Sequence, residues 1–230
     1  ENSTPSMSGR TLIIGDVHGC LNELRALLKL ANYCEESEQL IFVGDLISRG
    51  PDSFGVLKFV HALGANCLLG NHERNFLQFL KNSSKASHSF EILKKAMGDH
   101  LSFWKNWLEN LPLFIRSGDP DSADAFLVVH DGLAPGRAPE DTEARILTNI
   151  RTWDSEKNLP GVGYHSAWFE FYRDPQMVLF GHWAARGVVM RPNVIGLDSG
   201  CVYGGFLSGI SWPDRTLYQF PAQCVYHQSD

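Results

Sequence analysis

Thr11-Leu12-Ile13-Ile14 runs straight into Gly15-Asp16-Val17-His18-Gly19, and this stretch decides the fold. Four apolar or β-branched residues ending at a glycine read as a short buried strand. A carboxylate and an imidazole follow at once, two residues apart. The same device recurs along the chain. Leu40–Val43 runs into Gly44-Asp45, Cys67-Leu68-Leu69 into Gly70-Asn71-His72-Glu73, and Ala125–Val129 into His130-Asp131-Gly132. Met177–Phe180 meets Gly181-His182, and Val194–Leu197 meets Asp198-Ser199-Gly200.

Helical patterns separate the first three runs. Leu21, Leu24, Leu27, Leu28 and Ala31 share one helical face, opposite Glu23, Arg25 and Lys29. Val56, Leu57, Val60 and Leu63 repeat the arrangement, with Pro51-Asp52 as a start and Gly64 as a stop. Strand–helix–strand–helix–strand predicts parallel pairing in an α/β fold, and ligands of such sheets gather beyond the carboxyl ends of the strands. Every Asp, Asn and His quoted above falls there.

Further along, Lys81–Ser89 is polar and reads as a loop. Phe90–Asn110 reads as one or two helices with Trp104, Trp107 and Leu108 on the apolar face, ended by Pro112. Pro135–Asp141 is loop-like, Thr142–Thr148 fits a short helix, and the second half is richer in strands, including Phe206–Ile210 and Leu217–Phe220. With no linker, repeat or low-complexity tract, the expectation is one domain over residues 11–225 behind a flexible segment, residues 1–10.

Composition narrows the function classes. At 230 residues with 43% hydrophobic and 20% charged side chains, the chain can build a core without disulfides or a structural metal. A formal charge of −6 argues against a broad grip on nucleic acid or an anionic membrane. No apolar run approaches the roughly 18 residues a membrane helix needs. The five cysteines, at 20, 34, 67, 201 and 224, form no C-x-x-C pair and read as reduced thiols. Residues 1–6 carry no basic-plus-apolar secretory pattern, so a cytoplasmic protein is expected.

Asp16, His18, Asp45, Asn71, His130 and His182 are oxygen and nitrogen donors delivered by successive strand ends. This mixture suits Mn, Fe, Zn or Co, and a carboxylate can bridge two ions. Two cations against two aspartates would leave a positive site in an acidic chain, which favours phosphate. Any one of these residues has a bland reading as a turn or a hydrogen-bonded core group; the ordered series does not.

The series Gly15-Asp16-Val17-His18-Gly19, Gly44-Asp45-Leu46-Ile47-Ser48-Arg49-Gly50-Pro51 and Gly70-Asn71-His72-Glu73 resembles the calcineurin-like metallophosphoesterases of the phosphoprotein-phosphatase superfamily. Within it, Ser48 in place of an Asp, Gly181-His182-Trp183, and Leu197-Asp198-Ser199-Gly200-Cys201-Val202-Tyr203-Gly204-Gly205 resemble the ApaH-type symmetrical diadenosine tetraphosphatases and ApaH-like phosphatases. The likeness runs from Leu12 to about Gln219, with a shorter insert between His130 and His182. It implies a four-layer αββα sandwich of two mixed β-sheets flanked by helices. It also implies two divalent ions, manganese foremost with Fe, Zn, Co or Mg as alternatives. Asp16 and His18 would hold the first, Asn71, His130 and His182 the second, and Asp45 would bridge them. A hydroxide shared by the ions would attack phosphorus directly, His72 would protonate the leaving oxygen, and Arg49 would grip the phosphate.

Five further residues are weaker candidates for substrate contact. Arg151 and Arg74 could reach more distant phosphates, as could Arg186, although a solvated surface arginine is the ordinary reading. Trp183 and Tyr203 could stack on a nucleobase, against ordinary core packing. The expected reaction is hydrolysis of phosphoanhydride bonds in dinucleoside polyphosphates such as diadenosine tetraphosphate. The alternatives are a serine/threonine-type phosphoprotein phosphatase, a hydrolase of RNA cap nucleotides and a catalytically dead scaffold. The expected partner is a nucleotide or phosphate-ester small molecule. Nucleic acid enters only as a capped RNA end, and no membrane is involved.

Overall fold

The computed structural model describes residues 9–82, 87–119, 122–162 and 165–228. Strand β1 (Thr11–Ile14) is completely buried and central to a first mixed sheet. It pairs in parallel with β2 (Gln39–Phe42), which pairs in parallel with β3 (Asn66–Cys67). The connections are helices α1 (Leu21–Leu30) and α2 (Ser53–Ala62), as the alternating pattern predicts. Asp52 starts α2 by accepting from the Gly55 N–H at 2.8 Å. The register sets Ile14 beside Phe42 and Phe42 beside Cys67, so all three strands end at one level.

The second mixed sheet contains β4 (Phe114–Ser117), β5 (Phe126–Val129), β8 (Met177–Phe180), β9 (Val189–Met190) and β10 (Val194–Gly196), in the order β4-β5-β8-β10-β9. Strands β5, β8 and β10 run parallel and also end together. A small hairpin, β6 (Trp153–Asp154) and β7 (Leu159–Pro160), stands apart. The chain then returns to the first sheet through β11 (Phe206–Trp212) and β12 (Leu217–Pro221), giving the order β12-β11-β1-β2-β3.

Three apolar clusters make the layers. Ile13, Ile41, Val43, Phe126, Val128, Leu179, Ile195 and Trp212 pack between the two sheets. Leu12, Ile14 and Phe42 face the other way, onto α1, α2, α3 (Asn71–Asn82), α4 (His88–Met97) and α5 (Leu101–Glu109). Behind the second sheet, Leu127, Val178 and Phe180 pack on Ile146, Trp153, Trp168 and Phe169. That outer layer is built from short turns and the four-residue α6 (Ala144–Leu147) instead of long helices. Alternation therefore hides in plain view: strands covered on both faces show as unbroken apolar runs.

Two expectations need correction. Lys81 and Asn82 are the last turn of α3, and His88 and Ser89 the first turn of α4, with Ser87 accepting from the Phe90 N–H at 3.3 Å. The expected loop thus narrows to residues 83–87, of which 83–86 lie outside the described residues. The helix is hard to see because its first turn, Asn71-His72-Glu73-Arg74, is polar. Only Phe76, Leu77 and Phe79 carry its buried face. The expected flexible segment does not extend to Arg10, whose guanidinium bonds to Glu38 at 2.6 Å, the Ala31 carbonyl and Tyr218; residues 1–8 lie outside the described residues.

Candidate functional site

The shared level of the strand ends creates the site. Asp16 follows β1, Asp45 follows β2, Asn71 opens α3 after β3, and His130 and His182 follow β5 and β8. Gly44 makes the sheets' approach possible. Its φ is +108°, and a Cβ there would stand 2.8 Å from His130 Nδ1. Downstream, His18, Asp45, Ser48, Arg49 and His182 all hold positive φ, between +46° and +75°. Such strain in non-glycine residues persists only where surrounding structure enforces it.

Glu73 supplies much of that enforcement. Fully buried, it accepts the backbone N–H groups of Asp45 at 2.9 Å, Leu46 at 2.9 Å, Ile47 at 3.2 Å and Gly70 at 3.0 Å. One side chain therefore ties the loop after β2 to the loop after β3. Burial and the neighbouring Asp45 push its carboxyl up to about 7, against the pull of His130 and those N–H donors.

Donor atoms converge around Asp45. Its Oδ2 lies 3.4 Å from His130 Nε2, 3.8 Å from His18 Nε2 and 4.0 Å from His72 Nε2. Asp16 Oδ2 is 3.9 Å from His18 Nε2, and both Asp16 oxygens accept the His182 backbone N–H. Asn71 Oδ1 stands 2.9 Å from His130 Nε2 and 2.8 Å from His182 Nδ1. Two atoms bound about 2.1 Å from one ion are about 3.0–3.4 Å apart at octahedral or tetrahedral angles. The 3.4 Å between Asp45 Oδ2 and His130 Nε2 falls in that range, and the two Asn71 contacts lie just below it. The cradle is also tight, since a Cβ on Gly70 would sit 2.2 Å from Asp45 Oδ1.

The electrostatics point the same way. Burial would lower His130, but Asp45 outweighs it and holds the ring up at about 10. Asp45 is held well below the usual carboxylate range by His130, His72 and His18, against the cost of burial. Burial pulls His72 down to about 3 and, with His130, takes His182 down to about 2, so both rings are neutral at pH 7. Burial raises Asp16, Asp131 and Asp198, Asp16 being raised further by Asp198. A pocket that opposes the ionisation of three carboxylates is one that divalent cations would relieve. The residues therefore fit a two-cation site, with His18, Asp45 and His72 as one group of donors and Asp45, His130 and His182 as another. His72 thus stands within reach of the first group as well as beside the pocket.

Residues 9–194 match the family model described as calcineurin-like phosphoesterase. The chain belongs to that family. Among curated calcineurin-like relatives, the symmetrical bis(5'-nucleosyl)-tetraphosphatase of Psychromonas ingrahamii is 31% identical over 274 residues, covering 93% of this chain and 97% of its own. That of Vibrio parahaemolyticus is 30% identical over 270 residues, covering 90% and 97%. The crystal structure of a provisionally assigned diadenosine tetraphosphatase superposes with a TM-score of 0.83 at 34% identity, covering 95% of this chain and 96% of that one. A metallophosphoesterase from Sphaerobacter thermophilus, 18% identical with a TM-score of 0.57 over 94% and 89%, shares the fold.

In this calcineurin-like site the converging donor atoms open into a cavity of about 560 Å³. Arg49, Arg151, Trp183 and Tyr203 line it. Arg49 lies 5.5 Å over the Tyr203 ring, and Arg186 lies 4.6 Å over Trp183. Arg74 is the exception. It turns away to bond the Thr148 hydroxyl and the Ala144 carbonyl, and it is absent from the cavity wall. Its partners there belong to α6 and the residue just after it. Sequence reading assigned no role to Glu73, Asp131 or Asp198. All three stand in the quoted runs, each one residue past a candidate ligand or directly at a strand end, and that position was the available signal.

Proposed function

We propose that this chain hydrolyses phosphoanhydride bonds in dinucleoside polyphosphates such as diadenosine tetraphosphate, using two divalent cations, manganese foremost. One observation carries the reading: the Asp45 carboxylate and the Asn71 amide oxygen together face four imidazoles at 2.8–4.0 Å. The names of relatives at 31% and 30% identity, with nearly full mutual coverage, support the substrate class.

Asp16 and His18 would hold one cation, Asn71, His130 and His182 the other, and Asp45 both. When bound, such ions lower the pKa of a shared water and neutralise phosphate oxygens. The chain's own groups do the rest. Arg49 and Arg151 supply permanent charge on the cavity wall for the phosphate chain. Trp183 and Tyr203 offer faces to nucleobases. His72, neutral at pH 7, contributes a hydrogen bond to the leaving oxygen, which suffices for an anhydride because the departing phosphate is a stable anion. Ser48 leaves that imidazole without an added carboxylate neighbour, in keeping with this. Residues 11–225 act as one domain, in the cytoplasm, where the five unpaired thiols stay reduced.

Hydrolysis of diadenosine tetraphosphate, capped RNA and a phosphoserine peptide by the manganese-loaded protein tests the reading, with products separated by chromatography. Two molecules of ADP per diadenosine tetraphosphate are expected. Turnover of the peptide with no cleavage of any dinucleoside polyphosphate would reverse the assignment.

A further inference from the structure

Asp131 is fully buried, and neither carboxylate oxygen has a hydrogen-bond partner among the described residues. A buried polar group left unmatched costs free energy, so the position calls for an explanation. The group it faces is His182, whose Nε2 lies 3.3 Å from Asp131 Oδ2. The opposite ring nitrogen of His182, Nδ1, is the atom that shares Asn71 Oδ1 with His130 Nε2. The metal-facing atom of His182 is therefore Nδ1.

A neutral imidazole has one N–H and one lone pair. Nδ1 is 2.8 Å from an amide oxygen, which only accepts, so that contact is a hydrogen bond only when the ring's proton is on Nδ1. For Nδ1 to offer a lone pair to a cation, the proton must occupy Nε2 instead. There the nearest acceptor is Asp131 Oδ2 at 3.3 Å, off the line of the N–H, so a small rotation of the ring or the carboxyl group closes the bond. We propose that Asp131 is the positioning residue that holds the His182 proton on Nε2, aiming Nδ1 at the second cation.

The backbone supports this role. The Asp131 N–H bonds the Leu147 carbonyl at 2.9 Å, which fixes the residue against the segment bearing Arg151. The next residue, Gly132, leaves room for the Trp168 indole, since a Cβ there would sit 2.3 Å from the ring. Asp131 is thus clamped from both sides, behind the imidazole and away from substrate. Carboxylate–imidazole partners of this kind typically change metal affinity about 10–100-fold when removed. The proposal rests on the metal-ligand assignment made above.

Calorimetric manganese titrations of the wild type, Asp131→Leu and Asp131→Asn separate the possibilities, alongside thermal melts. Leucine removes both charge and acceptor, whereas asparagine removes the charge and keeps an oxygen toward Nε2. Wild type should bind two equivalents. Asp131→Leu should weaken one step about 10–100-fold and leave the other unchanged, while Asp131→Asn stays within a few-fold of wild type. Nitrogen-15 spectra of the wild type loaded with diamagnetic zinc should show the His182 proton on Nε2. The proposal is overturned if both variants weaken both steps alike, if neither weakens either step, or if the proton is found on Nδ1. A wild type that binds no manganese would instead sink the metal-ligand assignment itself.

Discussion

Gly181→Ala is the sharpest test of how backbone shape governs the site. Gly181 lies between the end of β8 and His182, with its N–H on the His130 carbonyl at 2.7 Å. A Cβ at this position would stand 2.0 Å from Asp16 Oδ1 and 2.6 Å from Val43 Cγ2. Van der Waals contact begins well beyond 3.0 Å, so the Asp16 carboxylate must retreat by about 1 Å or more. Val43 sits in the inter-sheet core and holds its place, so the Gly181 backbone must back away from it as the Asp16 carboxyl group is pushed aside. Asp16 also accepts the His182 N–H through both oxygens, so two candidate ligands shift together. A displacement of about 1 Å costs about 10²-fold in rate, or about 2.7 kcal/mol of transition-state stabilisation. The expected result is a drop of about that size in kcat/KM for diadenosine tetraphosphate, with weaker manganese binding. Gly64→Ala is the control. Its φ of +60° makes alanine uncomfortable, but nothing lies within 4 Å of the added carbon. It should lose about 1–2 kcal/mol of stability and keep full catalysis. Wild-type kcat/KM and metal affinity in Gly181→Ala would refute the reasoning, as would an equal catalytic loss in Gly64→Ala.

Glu73→Gln replaces a carboxyl group whose oxygens accept four backbone N–H groups by an amide whose NH₂ opposes them; it should cost about 3 kcal/mol or more by chemical denaturation, and a loss below about 1 kcal/mol would contradict its anchoring role. His72→Ala should slow diadenosine tetraphosphate cleavage far less than cleavage of an alkyl phosphomonoester, whose leaving oxygen needs a proton; equal losses would show that His72 acts on both alike. Arg151→Ala should raise KM several-fold, whereas Arg74→Ala should leave KM alone and cost about 1 kcal/mol of stability through the lost bond to Thr148, both read from steady-state kinetics and melts. His130 keeps its proton to about 10 in the metal-free protein but must be neutral to bind a cation. Metal uptake between about pH 7 and 9 should therefore release a proton and tighten as pH rises, visible as a buffer-dependent binding heat. Because its folded-state value is raised, the same ring stabilises the metal-free fold below its ordinary 6.5, and that contribution fades as pH climbs through about 10.

Strand positions were legible because buried strands print as unbroken apolar runs. Thr11–Ile14 and Met177–Phe180 match residue for residue, and Leu40–Val43 is displaced by one. The polar residues at their ends were legible because parallel strands deliver such groups to one edge. Helix α3 was not, since function claims its first turn and leaves few apolar positions to mark its period. Arg74 was misread because the Thr148 hydroxyl and the Ala144 carbonyl capture its guanidinium, partners some seventy positions away that spacing does not encode. Glu73 and Asp131 escaped notice because their partners, four backbone N–H groups and the far side of one imidazole, are set by loop geometry that spacing does not encode.

Charge placement, rather than total charge, reconciles an acidic chain with a polyphosphate. Asp16, Asp45, Glu73, Asp131 and Asp198 are all buried at the seam between the two sheets' strand ends. Burial opposes ionisation at each of them, and at Asp16 and Asp198 the neighbouring carboxylates oppose it further. Folding without cations therefore concentrates repulsion at the one place where the strands must end together. Asp45 alone escapes, because three imidazoles face it. Two divalent ions would add four positive charges there and turn the same cluster from a source of strain into the centre of attraction for phosphate, while Arg49 and Arg151 extend that attraction along the cavity wall. The acidic residues that give the chain its negative sign are thus, in part, the reason its cavity can become positive.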